Sequence, residues 1–181
     1  MSTDTPILLD TDFVSSFAWV GRMDIIEGRY SGRMVVLEEV MTELDRVPHL
    51  ASCVRQSVAK GHIREEVMLV DSPEALEFAR LHDTGRYGSG EASCMTYLSY
   101  HEGILASNNL ADVKAFCNHR GVTLLTTADV LLQAYDEGTL PIDETDGLWR
   151  GMLARKRKLP APSFSEYLSA VKKSGSDWKS E

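Results

Sequence analysis

Five short apolar runs, each followed by a longer stretch of helical spacing, constrain this chain more than any other feature. "PILL" leads into "DTDFVSSFAWVGR", where Phe13, Phe17 and Val20 recur at helical intervals. "RMVVL" leads into "EEVMTELDRV", with Val40, Leu44 and Val47 on one face. "EVMLVD" is the third run, ahead of "SPEALEFARL", in which Ser72 is placed to cap a helix and Pro73 to open it. "GILASN" and "GVTLLT" are the fourth and fifth. After the last, Thr126 and Asp129 have capping-box spacing ahead of "VLLQAYDEG". Strands that alternate with helices argue for a parallel sheet, since parallel neighbours require crossovers. The expected fold is α/β: a three-layer α/β/α sandwich on a central, mainly parallel sheet of four to five strands, plus C-terminal helices.

From Asp143 the pattern changes. "ETDGLWRGMLARKRKLP" reads as a helix, "APSF" as a break and "SEYLSAVKKSG" as a last helix. Leu148, Met152 and Leu153 imply that this extension docks on the main domain, and "SGSDWKSE" reads as a frayed tail. The expected division is therefore residues 1–140 for the α/β domain and 141–181 for the helical extension. A chain of 181 residues suits this plan and is long enough to bury a substantial core.

No apolar run approaches the ~20 residues that span a bilayer. "MSTDTPILLD" has no basic region ahead of its apolar residues, so it does not read as a secretory signal. Cys53, Cys94 and Cys117 are odd in number and set in apolar-periodic segments, which fits reduced core thiols of a cytoplasmic protein. The net charge of −8 argues against a generally sticky nucleic-acid binder. It leaves room for an enzyme that handles nucleic acid locally, because acids gathered around a metal inflate the negative count.

Open α/β sheets gather ligands outside the carboxyl ends of their strands, and three acids are candidates. Asp10 follows "PILL", Glu43 lies within "EEVMTELDRV", and Glu91 falls in the first turn of "GSGEASCMTYL". Each has an ordinary explanation. Asp10 or Thr11 can cap the next helix, Glu43 can be a solvated helix residue, and Glu91 suits the helix dipole.

Together, "LLDTD", "EEVMTEL", "GSGEASCMTYL", "ILASNN" and "GVTLLTTADVLLQA" resemble, in order and approximate spacing, a PIN domain over Pro6 to Gly138. That family of metal-dependent ribonucleases includes many VapC-type toxins of toxin–antitoxin pairs. The resemblance implies that Asp10, Glu43 and Glu91 surround one or two Mg²⁺ or Mn²⁺ ions, which activate water against an RNA phosphodiester. Hard oxygen ligands suit these cations. It also implies an RNA substrate, a small antitoxin protein as partner and a homodimer.

Counting back from Gly121 puts the family's further acid near Asn109, with Asn108 just before it. Asn keeps a ligand carbonyl but removes a negative charge. Three readings follow. An Asn side chain orients water or phosphate beside one metal; Asp112, three residues on and one helical turn away, completes the shell; or the site binds without cutting. Asn109 is also expected to cap its helix. A catalytically silent module that binds RNA or protein is thus the alternative to a nuclease, and another metal-dependent phosphoesterase or DNA nuclease is a third.

Other signals are weaker. The basic run Arg150, Arg155, Lys156, Arg157 and Lys158 reads as a solvated helix end. Arg86, Lys114 and Arg120 lie near the expected site in sequence and are weak candidates to steer RNA. The five histidines show no close metal-ligand pair. "GRYGSGE" lacks both the lysine and the preceding strand of a phosphate loop and reads as a loop into the Glu91 helix. Ser15, Ser16 and Ser93 lack a nucleophile-elbow context.

Overall fold

The computed structural model describes residues 4–177, with side chains through 173. The expected frayed tail falls partly outside the described residues, at 178–181; the backbone of 174–177 continues the last helix. Five strands form one all-parallel sheet: β1 (Ile7–Leu9), β2 (Met34–Leu37), β3 (Ile63–Glu66), β4 (Ile104–Ala106) and β5 (Thr123–Leu125), in the order β3-β2-β1-β4-β5. The architecture is the expected α/β/α sandwich. β1, β2 and β4 are buried at every position, which is why they read as unbroken apolar runs.

The third strand is a correction. It is "IREE", not "EVMLVD": β3 ends at Glu66, and Val67, Leu69 and Val70 stand 60%, 76% and 86% exposed. As a terminal strand β3 needs few apolar side chains, with only Ile63 fully buried. It therefore carries no hydrophobic signature, while the apolar run beside it is not a strand.

Between the strands lie α1 (Thr11–Trp19), α2 (Met23–Tyr30), α3 (Glu38–Leu44), α4 (Pro48–Ala59), α5 (Pro73–Asp83), α6 (Ser89–Tyr100) and α7 (Leu110–Arg120). The expected helix through Val47 breaks into α3 and α4, because the residue before a proline is pushed out of the α region. Val47 accordingly sits at φ −130°, ψ 89°, with Pro48 opening α4. Ser72 caps α5 as expected, accepting from the Ala75 amide at 3.1 Å. Gly121 ends α7 at φ +67°, the left-handed position that glycine takes without strain.

By internal contacts the chain divides after Thr126; the boundary expected from sequence lay at 140/141. The second unit holds α8 (Thr127–Asp136), α9 (Ile142–Ala154) and α10 (Phe164–Asp177). Its core is aromatic. Trp149 and Phe164 are fully buried with ring centroids 5.7 Å apart, Tyr135 meets Phe164 edge-on at 5.6 Å, and the Trp149 Nε1–H donates to the Ala161 carbonyl at 2.8 Å. α9 carries Arg150 and stops at Ala154, ahead of the remaining basic residues, Arg155, Lys156, Arg157 and Lys158. Lys156 turns to φ +59°, its amide bonds the Leu153 carbonyl at 2.9 Å, and the Arg157 amide bonds the Met152 carbonyl at 3.0 Å. That pair of bonds closes the helix end as a Schellman motif. All three cysteines are free, with Cys94 and Cys117 buried and Cys53 partly so. Among the described residues no helix is long and apolar enough to cross a membrane.

Candidate functional site

The sheet order reverses at β1: β2 and β3 lie to one side of it, β4 and β5 to the other. Open α/β sheets bind ligands outside the carboxyl ends of the strands at such a switch point. Asp10 directly follows β1, and Ser107, Asn108 and Asn109 directly follow β4. The register Leu9↔Ala106 carries the two strand ends to the same level, and the Asp10 amide bonds the Ala106 carbonyl at 2.9 Å.

Asp10 is both the N-cap of α1 and the buried centre of this edge, 3% exposed. Its Oδ1 accepts from the Thr11 amide at 2.7 Å and its Oδ2 from the Ser107 hydroxyl at 2.8 Å. The capping role and the site role expected from sequence are therefore compatible.

Glu43 reaches the same edge from α3, but both its oxygens are engaged. Oε2 accepts from the Thr11 hydroxyl at 2.6 Å and Oε1 from the Gly90 amide at 2.8 Å. Glu43 thus ties the start of α1 to the start of α6. Gly90 is small for this reason: a Cβ there would stand 2.9 Å from Thr11 Oγ1, 3.0 Å from Glu43 Oε2 and 3.2 Å from Val40 Cγ2.

Glu91, on the first turn of α6, accepts from the Gly88 amide at 3.4 Å and from Asn109 Nδ2 at 2.5 Å. The same Nδ2 donates to Asp112 Oδ2 at 2.5 Å. Asn109 holds the cap position of α7, yet its side chain makes no capping bond. That expectation is corrected: two carboxylates compete for the amide and win, because a hydrogen bond to an ionised acceptor is the stronger one.

Asn108 turns elsewhere. It is buried, its amide N–H donates to Asp12 Oδ1 at 3.1 Å, and its Nδ2 reaches Ser16 Oγ at 3.3 Å. It fastens the end of β4 to α1. The adjacent asparagines therefore have separate work, one tying the scaffold and the other facing the acids.

The electrostatics follow from this crowding. Burial, then the negative field of Asp12 and Glu91, raises the Asp10 carboxyl well above the usual range, against the bonds from Ser107 and Thr11 that favour its anion. Burial also raises Glu91, with Asp112 and Asp12 adding to it and the bonds from Asn109 and Gly88 opposing. The field of Asp12 thus acts on both Asp10 and Glu91, and that of Asp112 on Glu91. Burial pushes the Cys94 thiol well up, so it stays protonated one turn beyond Glu91 and donates weakly to the Leu9 carbonyl at 3.8 Å.

Asp12 and Ser107 carried no weight in the sequence reading. Their signals were the second acid of "LLDTD" and the hydroxyl directly after β4. Glu39 was missed as well: its carboxyl is raised by burial, and its Oε2 is buried without a hydrogen-bond partner. Of the basic residues expected nearby, Arg86 lies over the Tyr87 ring at 5.2 Å and Arg120 ends α7 at the opposite end from Asn109. Ser15, Ser16 and Ser93 donate to the carbonyls of Asp12, Asp12 and Gly90, as structural hydroxyls do.

Among the described residues, no three His, Cys, Asp or Glu side chains are grouped ready to hold a metal. Two causes are visible: Glu43 is consumed by Thr11 and Gly90, and the Asn109 amide stands between Glu91 and Asp112. The donor chemistry nevertheless suits a hard divalent cation, since carboxylate oxygens dominate and the anionic forms of Asp10 and Glu91 are disfavoured. No protein-family model matches this chain, and no curated protein does.

Proposed function

We propose that this chain is a PIN-type endoribonuclease that depends on Mg²⁺ or Mn²⁺ and hydrolyses RNA phosphodiesters at the carboxyl edge of β1 and β4. The observation that carries the reading is the meeting of Asp10 and Glu91 at the switch point of the sheet, where burial and the fields of Asp12 and Asp112 oppose the ionisation of these two carboxyls. Of the acids named from sequence, Asp10 and Glu91 would hold the cation. Asp112 is the better completing residue, because Asn109 already joins it to Glu91. Glu43 would act by keeping Thr11 and Gly90, and with them Asp10 and Glu91, in place.

A bound cation would polarise a phosphoryl oxygen and lower the pKa of a water. The chain's own contribution is positioning. Ser107 and Thr11 fix both Asp10 oxygens, and Asn109 can turn its carbonyl or its amide toward a phosphate once the carboxylates are neutralised. A small antitoxin partner, a homodimer and a cytoplasmic setting belong to the same proposal and rest on the family resemblance.

One observation favours a second reading, a silent module. The Asn109 amide already satisfies Glu91 and Asp112 without a cation. A mixed-sequence RNA incubated with Mn²⁺ separates the two. Metal-dependent cleavage by the wild type, lost in Asp10→Asn and Glu91→Gln, supports the nuclease. RNA that stays intact while Mn²⁺ is bound supports the module.

A further inference from the structure

The segment after β3 presents apolar surface that the core does not use. Val67, Leu69, Val70 and Leu76 are 60%, 76%, 86% and 73% exposed, although they follow one another closely along the chain. Scattered apolar residues on a surface are ordinary, whereas a contiguous exposed group marks an interaction site. Val67 and Leu69 line a cleft of ≈ 230 Å³ together with Leu37, Met68, Tyr97 and His101 and with Glu66 and Glu74. It also adjoins β3, which ends the sheet and, among the described residues, ladders only with β2. An unpaired strand edge beside pockets for side chains is the geometry by which an extended peptide is bound.

The charge of the region selects the occupant. Residues 63–80 carry Glu65, Glu66, Asp71, Glu74 and Glu77 against Arg64 and Arg80. Arg64 pairs with Glu66 and Arg80 with Glu77, each at 2.7 Å, and His101 meets Glu74 at 2.8 Å, so the region keeps an excess of acids. A second copy of the chain would bring the same acids and be repelled, and the phosphates of RNA would be repelled likewise. A strand that alternates basic with apolar residues meets both features. Its backbone pairs with β3, its apolar side chains cover Leu69 and Val70, and its cations face the carboxylates.

We propose that the open edge of β3, with the Val67–Val70 segment and its cleft, binds an extended basic and apolar segment of a partner protein. This site is separate from the acids at β1 and β4, and it stands whether or not the chain cleaves RNA.

The probe is a blocked peptide alternating arginine and valine, labelled for fluorescence anisotropy, with a glutamate–valine peptide as control. The arginine peptide is expected to bind saturably and to shift the amide resonances of residues 63–70, and the control to stay free. Glu65→Lys and Leu69→Ser, both surface changes, should each weaken binding about tenfold while leaving Mn²⁺ uptake unchanged. Equal binding of the two peptides, no binding at millimolar peptide, or self-association of the chain that Leu69→Ser abolishes would each overturn the proposal.

Discussion

Two regions of this molecule break the ordinary rule of burial in opposite senses. At the carboxyl edge of β1 and β4, a carboxylate is buried and others crowd around it; beyond β3, large apolar side chains stand in solvent. Neither arrangement helps the chain to fold. Burying Asp10 near Asp12 and Glu91 opposes stability, and exposing Leu69 and Val70 forgoes the burial that apolar groups normally contribute. Such inversions are where a fold meets something else. The proposed cation would relieve the first and the proposed partner segment would cover the second, and the difference between them can be broken experimentally.

The largest effect is expected at Asp10. Asp10→Asn should lower metal-dependent RNA cleavage by about 10²-fold or more, read from single-turnover rates. The same change should make the metal-free protein more stable at neutral pH, because an amide keeps the bond from Thr11 and removes a buried charge. Activity and stability moving in opposite directions is the signature of a charge held for function; loss of both would mark Asp10 as a plain helix cap.

Next comes the amide between the acids. Asn109→Ala leaves Glu91 and Asp112 without their shared donor and should cost about 1–3 kcal/mol in urea melts of the metal-free protein. Added Mn²⁺ should recover most of that loss. A comparable effect, about 1–3 kcal/mol, is expected for Gly90→Ala, since the new methyl meets Thr11, Glu43 and Val40. Here Mn²⁺ should not restore the loss, which separates crowding from charge.

The pH dependence has a definite sign. Asp10 and Glu91 have folded-state pKa values raised above their unfolded ones, so the folded protein holds their protons more tightly. Their unfavourable contribution is absent below the unfolded pKa, about 4. It grows as pH rises through the raised folded values. Metal-free stability should therefore fall across that window, and Asp10→Asn should flatten the slope. The smallest effect belongs to the other region: Leu69→Ser should change stability by no more than about 0.5 kcal/mol, because so little of that side chain is buried.

The contrast also explains what the sequence could reveal. β1, β2 and β4 were legible because parallel strands covered on both faces read as continuous apolar runs. β3 was not, since a terminal strand tolerates "IREE", and the apolar run that imitated a strand is the exposed one. The break between α3 and α4 was signalled by Pro48 and overlooked because Val40, Leu44 and Val47 share a helical period. Asp10, Glu43 and Glu91 were legible as acids at strand and helix ends. What each does was not, because only the folded chain brings Thr11 and Gly90 to Glu43, Ser107 to Asp10, and Asn109 to both Glu91 and Asp112. Spacing alone made the two asparagines look alike; their hydrogen bonds make them different residues.

The most direct test of the central claim is a calorimetric titration of Mn²⁺ into the metal-free wild type, Asp10→Asn and Glu91→Gln proteins. The account predicts saturable binding in the wild type and its loss in both variants. Absence of binding at millimolar Mn²⁺, or variants that bind as the wild type does, would contradict it: the acids at β1 and β4 would then be no cation site.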